Sequence, residues 1–198
     1  GLDSLPGAGA EILSNRVRKI VSPGKATSQQ WLDVMHEAHK LGMVTTATMM
    51  FGFLESGKER IEHLFKIRDL QDQKPAGVPG FVAFIPWPYQ RSNTRLFEAY
   101  PRMPEVYDAE YLRMIALSRI LLPNIPNIQA SWLTVGQDTA SIALHAGAND
   151  LGSVMIEENV VSAAGAHYSL NPDGMKKLIK NAGFEPVKRN QKYEFPEN

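Results

Sequence analysis

Apolar runs of strand length alternate with segments of helical periodicity along this chain, and that alternation restricts its fold more than any other feature. The runs are "MVTTATMMF", "GFVAFIPW", "NIQASWLTV" and "GSVMIEENVV". Such alternation is typical of βα units that build a parallel sheet. The sequence therefore predicts an α/β fold in which helices cover the outer face of an open arc of five parallel strands, beginning near Leu2, Ala47, Val82, Ile128 and Val154.

Helix signals occupy the stretches between these runs. The segment "AEILSNRVRKIV" is predicted to be helical up to Pro23, and Ser28 is the predicted cap of the next helix. One face of that second helix is expected to carry Trp31, Val34, Met35 and Ala38. Later helices are predicted over 58–72, over 108–121, over 139–145 and between Asn171 and Gly183.

Composition favours one domain and excludes several classes of function. The 198 residues are 43% hydrophobic, which is enough for a single core. Lysine plus arginine and aspartate plus glutamate number 21 each, so no net charge attracts nucleic acid. The apolar runs are too short for a membrane span, and the absence of cysteine excludes disulfides and thiolate metal sites within the chain. We expect a single cytoplasmic domain over residues 1–198 that binds neither nucleic acid nor membrane.

Polar or conformationally special residues follow each predicted strand. The carboxyl ends of parallel barrel strands meet at one face, where such folds carry their active sites. A polar loop after a single strand is common and means little alone. Four successive ends of this kind predict one shared site, with Gly52, Glu55, Tyr89, Gln129, Ser131, Glu157 and Glu158 among its residues.

Two other motifs receive structural interpretations. The glycines of "DSLPGAGAE" lack the lysine of a P-loop, so we expect them to bend the chain and to direct Ser4 and Glu11 toward the barrel mouth. His36 and His39 lie three residues apart rather than at the H-E-x-x-H spacing. We interpret both histidines as solvent-exposed residues, and the sequence predicts no metal ligand.

Several longer strings resemble a known enzyme family. They are "GLDSLPGAGAEIL", "TATMMFGFLE", "RIEHLFKIRDLQD", "FIPWPYQ", "NIQASW" and "GANDLGSVMIEENVVSAAG". Together they resemble the cyclic dehypoxanthinyl futalosine synthases, radical S-adenosylmethionine enzymes of the futalosine route to menaquinone. Aminofutalosine synthases and the radical enzymes of deazaflavin cofactor biosynthesis share much of this pattern. Of these groups, the cyclases match "FIPWPYQ" best.

The resemblance implies that this chain is the C-terminal part, about strands 4–8, of a (βα)8 TIM-like barrel. It also implies two cofactors, S-adenosylmethionine and a 4Fe–4S cluster held by an upstream Cys-x3-Cys-x2-Cys motif. Because the chain has no cysteine, we expect these residues alone to be inactive. Two alternatives remain: an enzyme of the aminofutalosine synthase type, and a protein of a different class, a half-barrel that binds a small molecule without chemistry.

A family pattern, G-x-I-x-G-x-x-E, implies the cofactor-binding residues. Gly52 and Glu55 match it, whereas Thr48 and Met50 occupy its first and third positions with other residue types. We therefore expect Met50, Gly52 and Glu55 to contact S-adenosylmethionine, with the glycine allowing close approach of the backbone.

The resemblance further implies the substrate and the reaction. Dehypoxanthine futalosine would lose a hydrogen atom from its ribose and cyclise onto its benzoate ring, with an electron donor protein as partner. Trp87 and Tyr89 are expected to pack on the aryl ring. Ser4, Glu11, Gln129, Ser131, Asn149 and Asp150 are the other expected substrate-binding residues. Glu157 or Glu158 is expected to accept the final proton.

Overall fold

A computed structural model describes residues 1–154 and 170–195 of the chain. The predicted strand beyond Val154, with Glu157 and Glu158, lies outside the described residues. In the described ranges no helix is both long and apolar enough to cross a membrane. The elements run β1 (Ser4–Leu5), α1 (Asn15–Val21), α2 (Ser28–Lys40), β2 (Val44–Phe51), α3 (Gly57–Asp72), β3 (Gly80–Pro88), α4 (Arg95–Ala99), α5 (Asp108–Leu121), β4 (Asn127–Ile128), α6 (Trp132–His145) and α7 (Pro172–Asn181).

The four strands form one parallel sheet in the order β1-β2-β3-β4. The longest pairing joins β2 to β3 from Val44 opposite Gly80 to Phe51 opposite Pro88. One further parallel bridge joins Gln129 to Asp150, so the chain beyond α6 returns alongside β4. Parallel pairing is confirmed for these strands, and the sheet is consistent with part of a TIM-like barrel.

The two faces of β2 have different environments. Ala47, Met49 and Phe51 are fully buried in the core. On the other face Thr46 Oγ1 accepts the Gly7 N–H at 3.0 Å, and the Thr48 hydroxyl donates to Gly7 O at 2.7 Å. A Cβ on Gly7 would lie 2.3 Å from Thr46 O. The loop after β1 can therefore lie against β2 only because residue 7 is glycine.

The first helix is shorter than predicted, and the cap of the second is displaced by one residue. Residues 10–14 are not helical, because Glu11 has a φ of 46° that a right-handed helix excludes. α1 therefore begins at Asn15. Thr27, not Ser28, caps α2, and its hydroxyl accepts the Gln30 N–H while the Gln30 side chain accepts the Thr27 N–H.

The inner face of α2 also differs from the prediction. Val34 is 56% exposed, whereas His39 is fully buried, so the expectation that His39 is a surface residue was wrong. His39 Nε2 lies 2.8 Å from Thr45 Oγ1, and its ring meets Phe81 edge-on at 4.5 Å. Burial lowers the pKa of His39 to about 4, so the ring is neutral at pH 7.

The predicted strand "NIQASWLTV" is a strand only at its start. β4 ends at Ile128, and α6 begins at Trp132. The Ser131 N–H donates to the Tyr111 hydroxyl at 2.8 Å rather than to a neighbouring strand. Leu133 and Val135 thus pack on the core from a helix, an environment that an apolar run alone does not distinguish from a strand. The predicted helices over 58–72 and 108–121 and the Asn171 cap of α7 are confirmed.

Candidate functional site

A cavity of about 730 Å³ lies where β2, β3 and the chain after β4 end. A volume of this size suits a small-molecule ligand. Six of the predicted site residues line it, namely Glu11, Met50, Trp87, Tyr89, Gln129 and Ser131. The structure therefore places these six predicted residues around one cavity, and their role in binding stays a prediction.

The wall formed by β2, β3 and α6 is apolar and aromatic. Met50, Ile85 and Trp87 contribute to it from the strands, and Trp132 and Leu133 contribute from the first turn of α6. Trp87 is half-buried. An indole at the wall of a cavity offers a flat apolar surface on which a ring can stack.

The polar groups of the cavity are held by bonds within the protein. The Tyr89 hydroxyl donates to Thr94 Oγ1 at 2.5 Å, and Gln90 Nε2 donates to Pro88 O at 3.1 Å. Thr134 Oγ1 donates to Ser131 Oγ at 2.9 Å. Beneath them the Tyr111 hydroxyl accepts the Ser131 N–H, and burial raises the pKa of this hydroxyl above its ordinary value. These side chains are therefore fixed before a ligand enters.

A charged pair lies at the mouth, on the side of α1. Lys25 Nζ lies 3.1 Å from Glu11 Oε1, and both residues line the cavity. Glu11 is anchored to the end of β2 because its carbonyl accepts the Met50 N–H at 2.8 Å. No sequence motif predicted Lys25 as a site residue. Its one sequence signal is the turn "SPGK", which directly follows α1.

Gly52 and Glu55 lie beside the cavity rather than in its lining. Gly52 has a φ of +90°, and a Cβ there would lie 1.9 Å from Val106 Cγ2. The Glu55 side chain is completely buried and accepts the N–H groups of Gly52 at 2.6 Å and Phe53 at 3.0 Å. Arg60 Nε also donates to Glu55 at 2.6 Å, and the other end of this guanidinium pairs with Glu110. In this structure the G-x-x-E string closes the turn after β2.

Three other predicted substrate residues also lie outside the lining. Ser4 pairs with Val44, at the opposite end of β2 from Met50. Asn149 Oδ1 accepts the N–H of Ile128 at 2.9 Å and a bond from Arg119 at 2.8 Å, so it braces the start of β4. Asp150 pairs with Arg189 at 2.6 Å, which attaches the C-terminal segment to the sheet.

The cofactors implied by the sequence fit these residues unequally. The chain supplies no thiolate for an iron–sulfur cluster, because it contains no cysteine. Of the three residues predicted to contact S-adenosylmethionine, Met50 lines the cavity, and Gly52 and Glu55 form the turn beside it. The fit to S-adenosylmethionine is thus limited to one side chain and the adjoining backbone.

Comparison with known proteins identifies the family. A family model described as the CofH/MqnC C-terminal region matches residues 78–198. Cyclic dehypoxanthine futalosine synthase from Streptomyces coelicolor is 47% identical over 98% of this chain and 47% of its own length. The enzyme of that name from Halalkalibacterium halodurans is 45% identical over 98% of the chain and 50% of its own length.

A relative with a different activity is nearly as similar. The 5-amino-6-(D-ribitylamino)uracil–L-tyrosine 4-hydroxyphenyl transferase 2 from Methanosarcina mazei is 41% identical over 98% of the chain and 50% of its own length. The chain spans about half the length of these curated relatives. The chain belongs to the family of the CofH/MqnC C-terminal region.

Proposed function

We propose that this chain forms the substrate-binding part of a radical S-adenosylmethionine cyclase that converts dehypoxanthine futalosine to its cyclic product in menaquinone biosynthesis. The observation that carries the proposal is the cavity at the strand ends, in which an aromatic wall with Trp87 stands beside fixed polar groups. Two relatives named cyclic dehypoxanthine futalosine synthase, at 47% and 45% identity, support the same activity.

The residues of this chain bind and orient the substrate. Trp87 and Ile85 stack on the aryl ring and exclude water from it. Gln129 and Ser131 bond the ribose hydroxyls, which keeps the reacting carbon of the ribose near the ring it will join. Glu157 or Glu158, outside the described residues, accepts the proton that leaves when the cyclised radical gives up one electron to the redox partner and the ring regains aromaticity. S-adenosylmethionine, bound with a cluster that other residues ligate, supplies the hydrogen-abstracting radical.

A 4-hydroxyphenyl transferase is the second candidate. It is favoured by the 41% identity to the Methanosarcina mazei enzyme of that activity. Both candidate substrates carry a single benzene ring, so the aromatic wall alone fits either of them. The group attached to the ring separates them, since one carries a carboxylate directly on the ring and the other carries a phenolic hydroxyl.

The test is an activity assay on the natural full-length protein, reconstituted with iron, sulfide and S-adenosylmethionine. Dehypoxanthine futalosine and tyrosine plus 5-amino-6-(D-ribitylamino)uracil are offered separately, and products are identified by mass spectrometry. We expect a cyclic product only from the first substrate, lighter than dehypoxanthine futalosine by two hydrogen atoms, because one is abstracted from the ribose and the other leaves the ring as a proton with one electron. Formation of the tyrosine adduct would transfer the assignment to the second candidate, and no turnover of either would support the non-catalytic half-barrel.

A matched pair of variants connects the cavity to this activity. Trp87→Ala removes the stacking surface, and we expect it to lower kcat/KM at least tenfold, about 1.4 kcal/mol of transition-state binding. Val34→Ala changes an exposed residue of α2 and should leave kcat/KM unchanged. Equal activity of the two variants would contradict the proposed site.

A further inference from the structure

We propose that Lys25 binds the carboxylate of the ligand, and that this carboxylate replaces Glu11 as its partner when an aryl carboxylate enters the cavity. The inference rests on the proposed function for the identity of the natural ligand, whose benzoate supplies the carboxylate. Its chemistry, recognition of an aromatic carboxylate by one lysine at the cavity mouth, follows from the residues themselves.

The charged side chains of the cavity lining leave one candidate for binding a ligand carboxylate. Among the described lining residues, Glu11 and Lys25 are the two with charged side chains, and the other lining residues are neutral. A carboxylate that enters an apolar cavity without a cation loses its hydration with no compensation. Lys25 is therefore the described group that can receive it.

The Lys25–Glu11 pair is built so that one partner can be exchanged. The lysine side chain is 53% exposed and the glutamate 18% exposed, and the two are joined by a single 3.1 Å contact. A pair whose lysine is this exposed to solvent is held weakly. A lysine ammonium carries three donors on a flexible stem, so it can turn toward a second carboxylate without any change in the backbone.

The backbone that carries the pair is held in place by Arg18. This buried guanidinium donates to Ala26 O at 2.9 Å from Nε, and to Gly9 O at 3.0 Å and Ala10 O at 2.6 Å from one terminal nitrogen. The same side chain thus fixes the residue after Lys25 and the two residues before Glu11. The mouth is preorganised, and only the side chains need to move when a ligand binds.

The charged residues and the aromatic wall of the cavity come from different elements, which suits a ligand with one acidic end. Glu11 precedes α1 and Ser22 and Lys25 follow it, whereas Trp87 and Gln129 come from the strand ends. A ring stacked on Trp87 can therefore direct its carboxylate toward Lys25 and its polar substituent toward Gln129. Such an arrangement discriminates an aryl carboxylate from a phenol, which carries no charge at neutral pH.

The experiment compares benzoate with benzamide as probes of the natural full-length protein. Binding is followed by tryptophan fluorescence, because Trp87 and Trp132 both line the cavity. We expect the wild-type protein to bind benzoate about tenfold more tightly than benzamide, and Lys25→Met to reduce the ratio to near one. Lys25→Arg should keep most of the preference, and Lys40→Met, on the exposed face of α2, should keep all of it.

Glu11→Gln tests the exchange itself. Removing the competing carboxylate should strengthen benzoate binding about threefold and leave benzamide binding unchanged. Weaker benzoate binding in Glu11→Gln would overturn the exchange. A benzoate preference that persists in Lys25→Met, or that is absent from the wild type, would overturn the assignment of Lys25.

These outcomes are separable from those of the proposed function. If the protein does not cyclise dehypoxanthine futalosine but its benzoate preference depends on Lys25, the anion site is correct and the assigned reaction is wrong. If cyclisation proceeds and Lys25→Met leaves KM unchanged, the reaction is correct and Lys25 is not the carboxylate ligand. Circular dichroism and thermal melting verify that each variant is folded.

Discussion

Replacing Glu55 by alanine is expected to destabilise the turn after β2. The side chain is fully buried, accepts two backbone N–H groups and pairs with Arg60 at 2.6 Å. Alanine leaves both N–H groups without their acceptor and removes one of the two carboxylates on the guanidinium. This expectation differs from a direct cofactor contact, which would lower ligand affinity without lowering stability.

The expected loss of unfolding free energy in Glu55→Ala follows from the contacts that the substitution removes. Removing one partner of a buried ion pair costs about 3–5 kcal/mol. Arg60 keeps its bond to Glu110, so we expect a loss near the lower end, about 3 kcal/mol, which is a large fraction of an ordinary unfolding free energy of about 5–15 kcal/mol. Glu55→Gln retains an acceptor oxygen but places an amide NH₂ against donors, and should cost about 2 kcal/mol.

The assay is urea unfolding followed by far-ultraviolet circular dichroism. Glu110→Gln is the matched control, because Glu110 contacts the same arginine from a side chain that is 31% exposed. It should cost about 1 kcal/mol or less. A loss below 1 kcal/mol for Glu55→Ala, equal to that of the control, would refute the role of Glu55 in the turn. Wild-type stability combined with weakened S-adenosylmethionine binding would favour a cofactor contact.

Three further predictions concern the core, pH and the C-terminal segment. Gly52→Ala should lower the unfolding free energy by about 2–5 kcal/mol, because of the positive φ and the overlap of the new Cβ with Val106. In thermal melts, adding Val106→Ala should recover part of this loss, and no recovery would contradict the overlap. Burial lowers the pKa of His63 to about 3, so its contribution to stability is complete above its ordinary pKa of 6.5 and decreases by about 1.4 kcal/mol per pH unit as pH falls toward 3. His63→Gln should flatten this slope in urea titrations between about pH 4.5 and 7, and an unchanged slope would assign it to other groups. Asp150→Asn should release Arg189 and accelerate tryptic cleavage at this residue. Asp173→Asn, which changes a highly exposed side chain, should not. Equal cleavage rates in the two variants would show that the Asp150–Arg189 pair does not hold the C-terminal segment.

Local patterns in the sequence were sufficient for most of the elements. The helices over 58–72 and 108–121, the Asn171 cap and the strands in "MVTTATMMF" and "GFVAFIPW" follow from periodicity and capping residues, and the structure contains them. These signals are local, because a helix or strand satisfies its burial pattern and its caps within a few residues. Five of the six cavity residues follow predicted strands or lie at their ends, and parallel strands present their carboxyl ends to one face, whereas Glu11 was predicted from the glycine turn before α1.

Contacts between residues far apart in the sequence determined the local structures that the sequence did not predict. Glu11 adopts a positive φ where a helix was predicted, because its carbonyl meets the Met50 N–H. The backbone pairing that follows β4 stops at Ser131, whose N–H donates to the Tyr111 hydroxyl.

The G-x-x-E string shows where the two sources of information separate. The sequence by itself determined that a glycine and a carboxylate stand at the end of a strand. Only the tertiary structure decided what they do, because Val106 occupies the space beside Gly52, and Arg60, which pairs with Glu55, is itself held by Glu110. Val106 and Glu110 lie more than fifty residues after Gly52 and Glu55 in the sequence. No local pattern encodes which residue will fill the space beside a glycine, or which charges will surround a buried carboxylate.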